Sequence, residues 1–180
     1  IMYPRCDNAE EAAEVVRWGK FPPLGERGCD AANPDQPYLT QPLEEYLEAA
    51  NRETFLVIQI EQPRTVEHIE AIAAVEGVDV LMIGPGDLSI QSGIPGQFDH
   101  PKMKEVTRRV AESARREGIN WGCPSFSPQH TQELLEMGAR FICYNADILM
   151  IKNGLEKIRD DFAPLGFTFD DQLTRPRTEG

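Results

Sequence analysis

The sequence predicts an α/β protein built from parallel βα units, and three observations carry that prediction. Short apolar runs rich in β-branched residues alternate with helical patterns about five times, each helix crossing back over a dozen or so residues. Two runs, Thr54–Ile60 and Val78–Ile83, are apolar almost throughout, as strands buried on both faces must be. Both leave through an acid or a Gly-Pro turn, and ligands of parallel sheets bind at the strands' carboxyl ends. Five units are too few to close an eight-stranded barrel, and no residue period marks a solenoid.

Taken in order, Ile1–Arg5 reads as a short strand. Asp7 or Asn8 can cap the following helix, and Glu11, three residues after Asn8, completes a capping box. That helix runs to about Trp18, with Ala12, Val15, Val16 and Trp18 expected inward. Pro22–Gly28 (PPLGERG) is a stiff loop, because prolines fix φ and glycines permit tight turns. Polar loop continues over Ala31–Pro37, and Leu43–Asn51 is a short helix with Leu43, Tyr46 and Leu47 on one face. Strand Thr54–Ile60 leads to a helix over Arg64–Val75, opened by Pro63 and closed by Gly77, with Val66, Ile69, Ile72 and Ala73 as its apolar stripe.

Strand Val78–Ile83 stops at Gly84-Pro85-Gly86, expected neither to continue a strand nor to start a regular helix. An irregular loop, Gln91–His100, precedes a helix over Pro101–Glu117 that ends at Gly118. Ile119–Cys123 is a weak strand, and Pro128–Met137 a helix ended by Gly138. Arg140–Tyr144 is the last strand and Asp147–Phe162 the last long helix, with a tail over 164–180. Leu56, Ile58, Val80, Met82, Ile142 and Tyr144 are expected to be largely buried in the sheet.

The formal net charge of −12 argues against nucleic-acid and anionic-membrane partners, which need clustered Lys and Arg. No apolar run approaches the roughly 20 residues of a membrane span. The opening IMYPRCDNAEE has no basic region followed by an apolar one, so no secretory signal is read there. Position 1 is not Met, which predicts a chain that begins within a longer protein. Cys6, Cys29, Cys123 and Cys143 are widely spaced without a CxxC, and reduced thiols in a cytoplasmic protein are expected.

Glu61 and Asp87 are the candidate site. Each follows a buried strand, and the two strands are joined by a single crossover, so both acids should reach one rim. Separately, Glu61 could sit in solvent and Asp87 could cap its turn. Together, two carboxylates in one pocket repel unless a cation lies between them. All-oxygen ligation completed by water suits Mg²⁺ or Mn²⁺ rather than zinc, since no His or Cys is placed to join them. Paired carboxylates also serve glycoside hydrolysis, but sugar-stacking aromatics are sparse nearby. GPGDLS lacks the Lys-Ser/Thr of a phosphate loop, although Gly86 leaves room for an anion at the N–H groups of Gly86 and Asp87. His68, His100 and His130 read as structural, and Cys123 as a small buried thiol.

The stretch QIEQPRTVEHIEAIAAVEGVDVLMIGPGDLS, followed by a Gly-rich loop and His-Pro before a helix, resembles the class II pyruvate aldolases of the HpcH/HpaI family. PPLGERG is similar to that family's PPxGxRG, and NAEEA to the opening of the preceding helix. The resemblance runs from Ile1 to about Phe162 and implies part of a TIM-type (β/α)8 barrel over 1–163, about five of eight units. It further implies a divalent metal (Mg²⁺, with Mn²⁺ or Co²⁺ as alternatives) held by Glu61 and Asp87. Gln59 would lie close to bound pyruvate, and the backbone N–H groups of Gly86 and Asp87 would take its carboxylate. The implied reaction is aldol cleavage of a 2-keto-4-hydroxy acid through a pyruvate enolate, by a homo-oligomer acting on a ketoacid and an aldehyde.

Gly86 stands where the family often has Ala or Ser, and Asn145-Ala146-Asp147 replaces a glycine-led exit from the last strand. Cys29–Tyr38 departs from the family's small-residue, Arg-bearing stretch. The family's first three strands, with a His–Asp pair and an Arg that grips pyruvate, have no counterpart. The isolated chain is therefore expected to be inactive and to be poorly soluble, oligomeric or only marginally folded, with unpaired strand edges. The rival readings are a related acyl-CoA lyase, which would want a basic cluster, and a non-catalytic ketoacid-binding or assembly subunit.

Overall fold

Five strands form one sheet in chain order, β1 (Met2–Tyr3), β2 (Val57–Ile60), β3 (Val80–Ile83), β4 (Asn120–Ser125) and β5 (Phe141–Tyr144). The structure is a computed structural model describing residues 1–30, 32, 34, 36, 38 and 40–168. β1 to β4 pair in parallel, with Val57 beside Val80 and Ile60 beside Ile83. Between the strands run α1 (Ala9–Gly19), α2 (Leu43–Glu53), α3 (Pro63–Val66), α4 (Ile69–Ala73), α5 (Pro85–Gln91), α6 (Pro101–Glu117) and α7 (Pro128–Glu136). Parallel neighbours in unbroken chain order with helical crossovers make a contiguous arc of (β/α)-barrel type, the fold class expected from the sequence.

Strand alternation sorts the core into two faces. Ile58, Ile60, Leu81 and Ile83 join the main cluster with Ala12, Ile69, Ile72, Val110 and Ala114 from the helices. Val57, Val80 and Met82 form a smaller cluster, against which Phe141 packs. Gln59, two residues after Val57 and opposite Met82, belongs to that second side. The side away from the helices is thus where polar groups emerge toward the carboxyl ends.

Helix starts follow their capping chemistry. Asn8 caps α1 by accepting from the Glu11 N–H, and Glu11 reaches back to the Asp7 N–H. α6 ends at Gly118 in left-handed backbone (φ 70°), as a helix-terminal glycine allows. Arg109 on α6 ties to Glu70 on α4 through both carboxylate oxygens. Those hydrogen bonds hold the Glu70 carboxyl below the usual carboxylate range.

Several expectations are corrected. The strand over 54–60 starts only at Val57, because Thr54 closes α2 with its N–H on Ala50. The expected helix over 64–75 breaks into α3 and α4 where His68 leaves helical backbone (φ −112°, ψ 8°). Gly84-Pro85-Gly86 does start a helix: Pro85 occupies its first position, where a fixed φ fits and no N–H is needed. Trp18 points outward, its Nε1–H donating to Glu14 and its ring under the Arg17 guanidinium. Leu43 is exposed, and Tyr144 is 56% exposed because β5 lies at the end of the sheet.

The described residues divide into two compact units, one up to Cys143 and one from Tyr144 onward. Within the second, α8 (Asp147–Phe162) runs into a 3-10 turn over Ala163–Leu165, and its apolar side chains Ile148, Leu149, Ile151 and Leu155 are exposed. The expected tail from 169 onward, and the odd-numbered positions 31 to 37 of the expected polar loop, lie outside the described residues. No helix among the described residues is long and apolar enough to cross a membrane.

Candidate active site

The parallel register sets the site. Beyond the Ile60–Ile83 pair, the Gly84 N–H donates to the Ile60 carbonyl at 3.0 Å, which brings Gly84 alongside Glu61. A Cβ on Gly84 would stand 2.5 Å from Glu61 Oε2 and 2.6 Å from its Cβ. Gly84 has an ordinary φ of −99°, so glycine is required there by close approach and not by backbone conformation.

Glu61 is 5% exposed. Its Oε1 accepts the Arg5 backbone N–H at 2.7 Å, and its Oε2 accepts Gln59 Nε2–H at 3.3 Å. Among the described residues no Lys or Arg forms an ion pair with it. Asp87 lies three residues past Gly84, exposed in the first turn of α5. Glu61 and Asp87 therefore follow adjacent parallel strands at the same end of the sheet, with Gln59 in contact with Glu61.

Gly86 is exposed, and a Cβ there would meet nothing within 4 Å. Ala would therefore fit at this position as well. Ser89, fully buried, fixes this turn by donating to the Gly86 carbonyl at 2.8 Å and accepting the Gly96 N–H at 3.1 Å.

The donor set suits a hard cation. A buried carboxylate without a cationic partner among the described residues, one oxygen on the Arg5 N–H and the other on the Gln59 amide, with Gly84 packed against it, is an oxygen donor of the kind Mg²⁺ takes. Among the described residues no group of three or more His, Cys, Asp or Glu side chains gathers to hold a metal, so two carboxylates would leave the remaining positions to water or substrate.

Sequence reading missed four residues around this site. Gln62, 1% exposed, donates from Nε2 to the Arg5 carbonyl at 2.9 Å, and the Thr65 hydroxyl donates to the Cys6 carbonyl. Arg5 itself sits in left-handed backbone (φ 56°), and Ser89 locks the α5 turn. A polar residue directly after Glu61 was the one sequence signal available, since the other three depend on the folded loop.

None of the three histidines touches Glu61 or Asp87 in the hydrogen bonds and ring contacts of the described residues. His68 is exposed, His100 caps α6 by accepting the Lys102 N–H at Nδ1, and the His130 ring stacks on Phe126. Cys123 is 4% exposed, and burial pushes its thiol up to about 12.

An arc of parallel βα units bearing two carboxylates at neighbouring strand exits defines an α/β protein of the (β/α)-barrel class. The HpcH/HpaI aldolase/citrate lyase profile matches residues 1–153, and the chain belongs to that family. It is 30% identical over 162 residues to a 5-keto-4-deoxy-D-glucarate aldolase of Klebsiella pneumoniae, covering 90% of this chain and 62% of that protein. It is 32% identical over 157 residues to a 2-keto-3-deoxy-L-rhamnonate aldolase of the same species, covering 87% of this chain and 58% of that protein. Among solved structures it resembles an HpcH/HpaI aldolase from Desulfitobacterium hafniense DCB-2 with TM-score 0.82 and 33% identity, over 89% of this chain and 62% of that one. The chain thus spans about three-fifths of the length of the relatives it matches.

Proposed function

We propose that this chain carries the metal and ketoacid site of a divalent-metal-dependent aldolase, which cleaves a 2-keto-4-hydroxy acid into pyruvate and an aldehyde. The observation that supports this best is Glu61, buried without a cationic partner at a strand exit adjacent to the one that presents Asp87. The activities after which those relatives are named, on keto-deoxy sugar acids, agree with the chemistry of two carboxylates at that rim.

Glu61 and Asp87 would hold the cation, Mg²⁺ by preference with Mn²⁺ or Co²⁺ as substitutes. When bound, it supplies electrophilic stabilisation of the negative charge that develops on the substrate's keto oxygen. The chain's own residues do the rest of the positioning. Gln59, whose Nε2–H donates to Glu61 Oε2, would offer its amide to the ketoacid from the side of Glu61. The N–H groups of Gly86 and Asp87, at an open turn that Ser89 holds in place, would take the ketoacid carboxylate. Cleavage breaks the bond between C3 and C4. The C4 hydroxyl proton leaves to a base, the bonding pair moves into the enolate, the aldehyde departs and C3 takes up a proton. No residue among those described is identified as that base, so turnover is ascribed to the whole protein, as a homo-oligomer of the cytoplasm, and not to these 180 residues alone.

The test is cleavage of 5-keto-4-deoxy-D-glucarate and 2-keto-3-deoxy-L-rhamnonate, with pyruvate release followed by a coupled dehydrogenase. The full-length protein is expected to release pyruvate with Mg²⁺, to stop with excess EDTA and to resume on adding Mg²⁺ or Mn²⁺. The 180-residue chain alone is expected to release none. Cleavage that continues at full rate in EDTA after exhaustive metal removal would refute the metal-dependent reading.

A further inference from the structure

Resting on the metal reading of Glu61, a second observation reaches one shell further out. The loop after β1 is gripped at three successive residues from the segment that follows Glu61. Gln62 Nε2 donates to the Arg5 carbonyl at 2.9 Å, the Thr65 hydroxyl to the Cys6 carbonyl, and Arg64 Nε to Asp7 Oδ1 at 2.6 Å. Gln62 also lies 3.4 Å from Asp7 Oδ1. Of these three, Gln62 is the one that touches Arg5, and Arg5 is the residue whose N–H holds Glu61 Oε1 at 2.7 Å.

Arg5 adopts φ 56°, a left-handed conformation that a non-glycine residue leaves unless its surroundings enforce it. In that conformation its N–H donates to Glu61 Oε1 at 2.7 Å. We infer that Gln62 is a positioning residue for Glu61: by holding the Arg5 carbonyl it keeps Arg5 left-handed, keeps the Arg5 N–H on Oε1, and so fixes the direction in which Oε2 is offered. The charge-assisted N–H to carboxylate bond is the stronger partner in this relay, and Gln62, 1% exposed, is the buried anchor. Outer-shell groups of this kind typically alter metal affinity by about 10–100-fold.

The test compares Gln62→Met, which keeps the volume and removes the donor, with the wild-type protein at full length. Two readouts are taken, Mn²⁺ affinity by calorimetry and hydrogen exchange of the Arg5 amide, with Tm as a control. Gln62→Met is expected to raise the Kd for Mn²⁺ about tenfold and to speed Arg5 amide exchange by a similar factor. Adding Arg5→Gly to Gln62→Met should bring the Kd back to within about threefold of wild type, because glycine holds a positive φ without strain. An unchanged Mn²⁺ Kd in Gln62→Met would overturn the inference. So would a loss of affinity that follows a fall in Tm and is not rescued by Arg5→Gly. A wild-type protein that binds no Mn²⁺ would sink the metal reading itself. The Arg5 amide then still decides the relay, upheld if its exchange quickens in Gln62→Met and overturned if it does not.

Discussion

Glu61→Gln in the full-length protein is expected to lower aldol cleavage by on the order of 10³, the rate equivalent of several kcal/mol of lost charge stabilisation in the transition state. The fold should survive. A glutamine at 61 retains an oxygen to accept the Arg5 N–H at the position of Oε1. It also removes a buried charge that has no cationic partner among the described residues, so Tm should hold or rise slightly. Steady-state cleavage rates at saturating Mg²⁺, set beside thermal melts of the same preparations, check both halves. A Glu61→Gln enzyme with wild-type turnover would remove Glu61 from the reaction. A variant that simply unfolds would give Glu61 a structural role.

Gly84→Ala is expected to cost nearly as much by a different route. Its new methyl would come within 2.5 Å of Glu61 Oε2 and 2.6 Å of Glu61 Cβ, and the Cβ cannot swing away without moving the backbone. Glu61 is pinned by the Arg5 N–H and Gln59, so the added carbon must push the carboxylate or the strand exit aside. Overpacking of this kind destabilises by about 1–3 kcal/mol, and a misplacement near 1 Å can lower rate by about 10². The loss should appear in both Tm and cleavage rate, unlike that of Glu61→Gln, which should appear in rate alone. Unchanged activity in Gly84→Ala would mean that Glu61 tolerates displacement and does not act through a fixed geometry.

Much of this site was legible because strand exits are written locally. An apolar run followed by Glu61, and another followed by Gly-Pro-Gly-Asp, are patterns of a few residues. The parallel crossover that joins the runs needs only a helical stretch between them. Chain order and the helix ends at Asn8 and Gly118 follow from equally local chemistry. What local patterns did not carry was set by contacts across the fold. The break at His68 lies between α3, whose Thr65 hydroxyl is drawn to the Cys6 carbonyl, and α4, whose Ile69 and Ile72 enter the core. Gly-Pro-Gly reads as a turn in the sequence, yet proline suits a first helical position, and Pro85 begins α5. Arg5, Gln62 and Glu61 meet over more than fifty residues of sequence, and no spacing rule joins them.

That two carboxylates from adjacent strand exits share one cation is tested most directly by anomalous diffraction from a crystal of the full-length protein grown with Mn²⁺ and pyruvate. The account predicts one anomalous peak, with an oxygen of Glu61 and an oxygen of Asp87 each at roughly 2.0–2.3 Å from it, as for hard-cation oxygen ligands. A peak bound by only one of the two, or by neither while the protein turns over substrate, would contradict it.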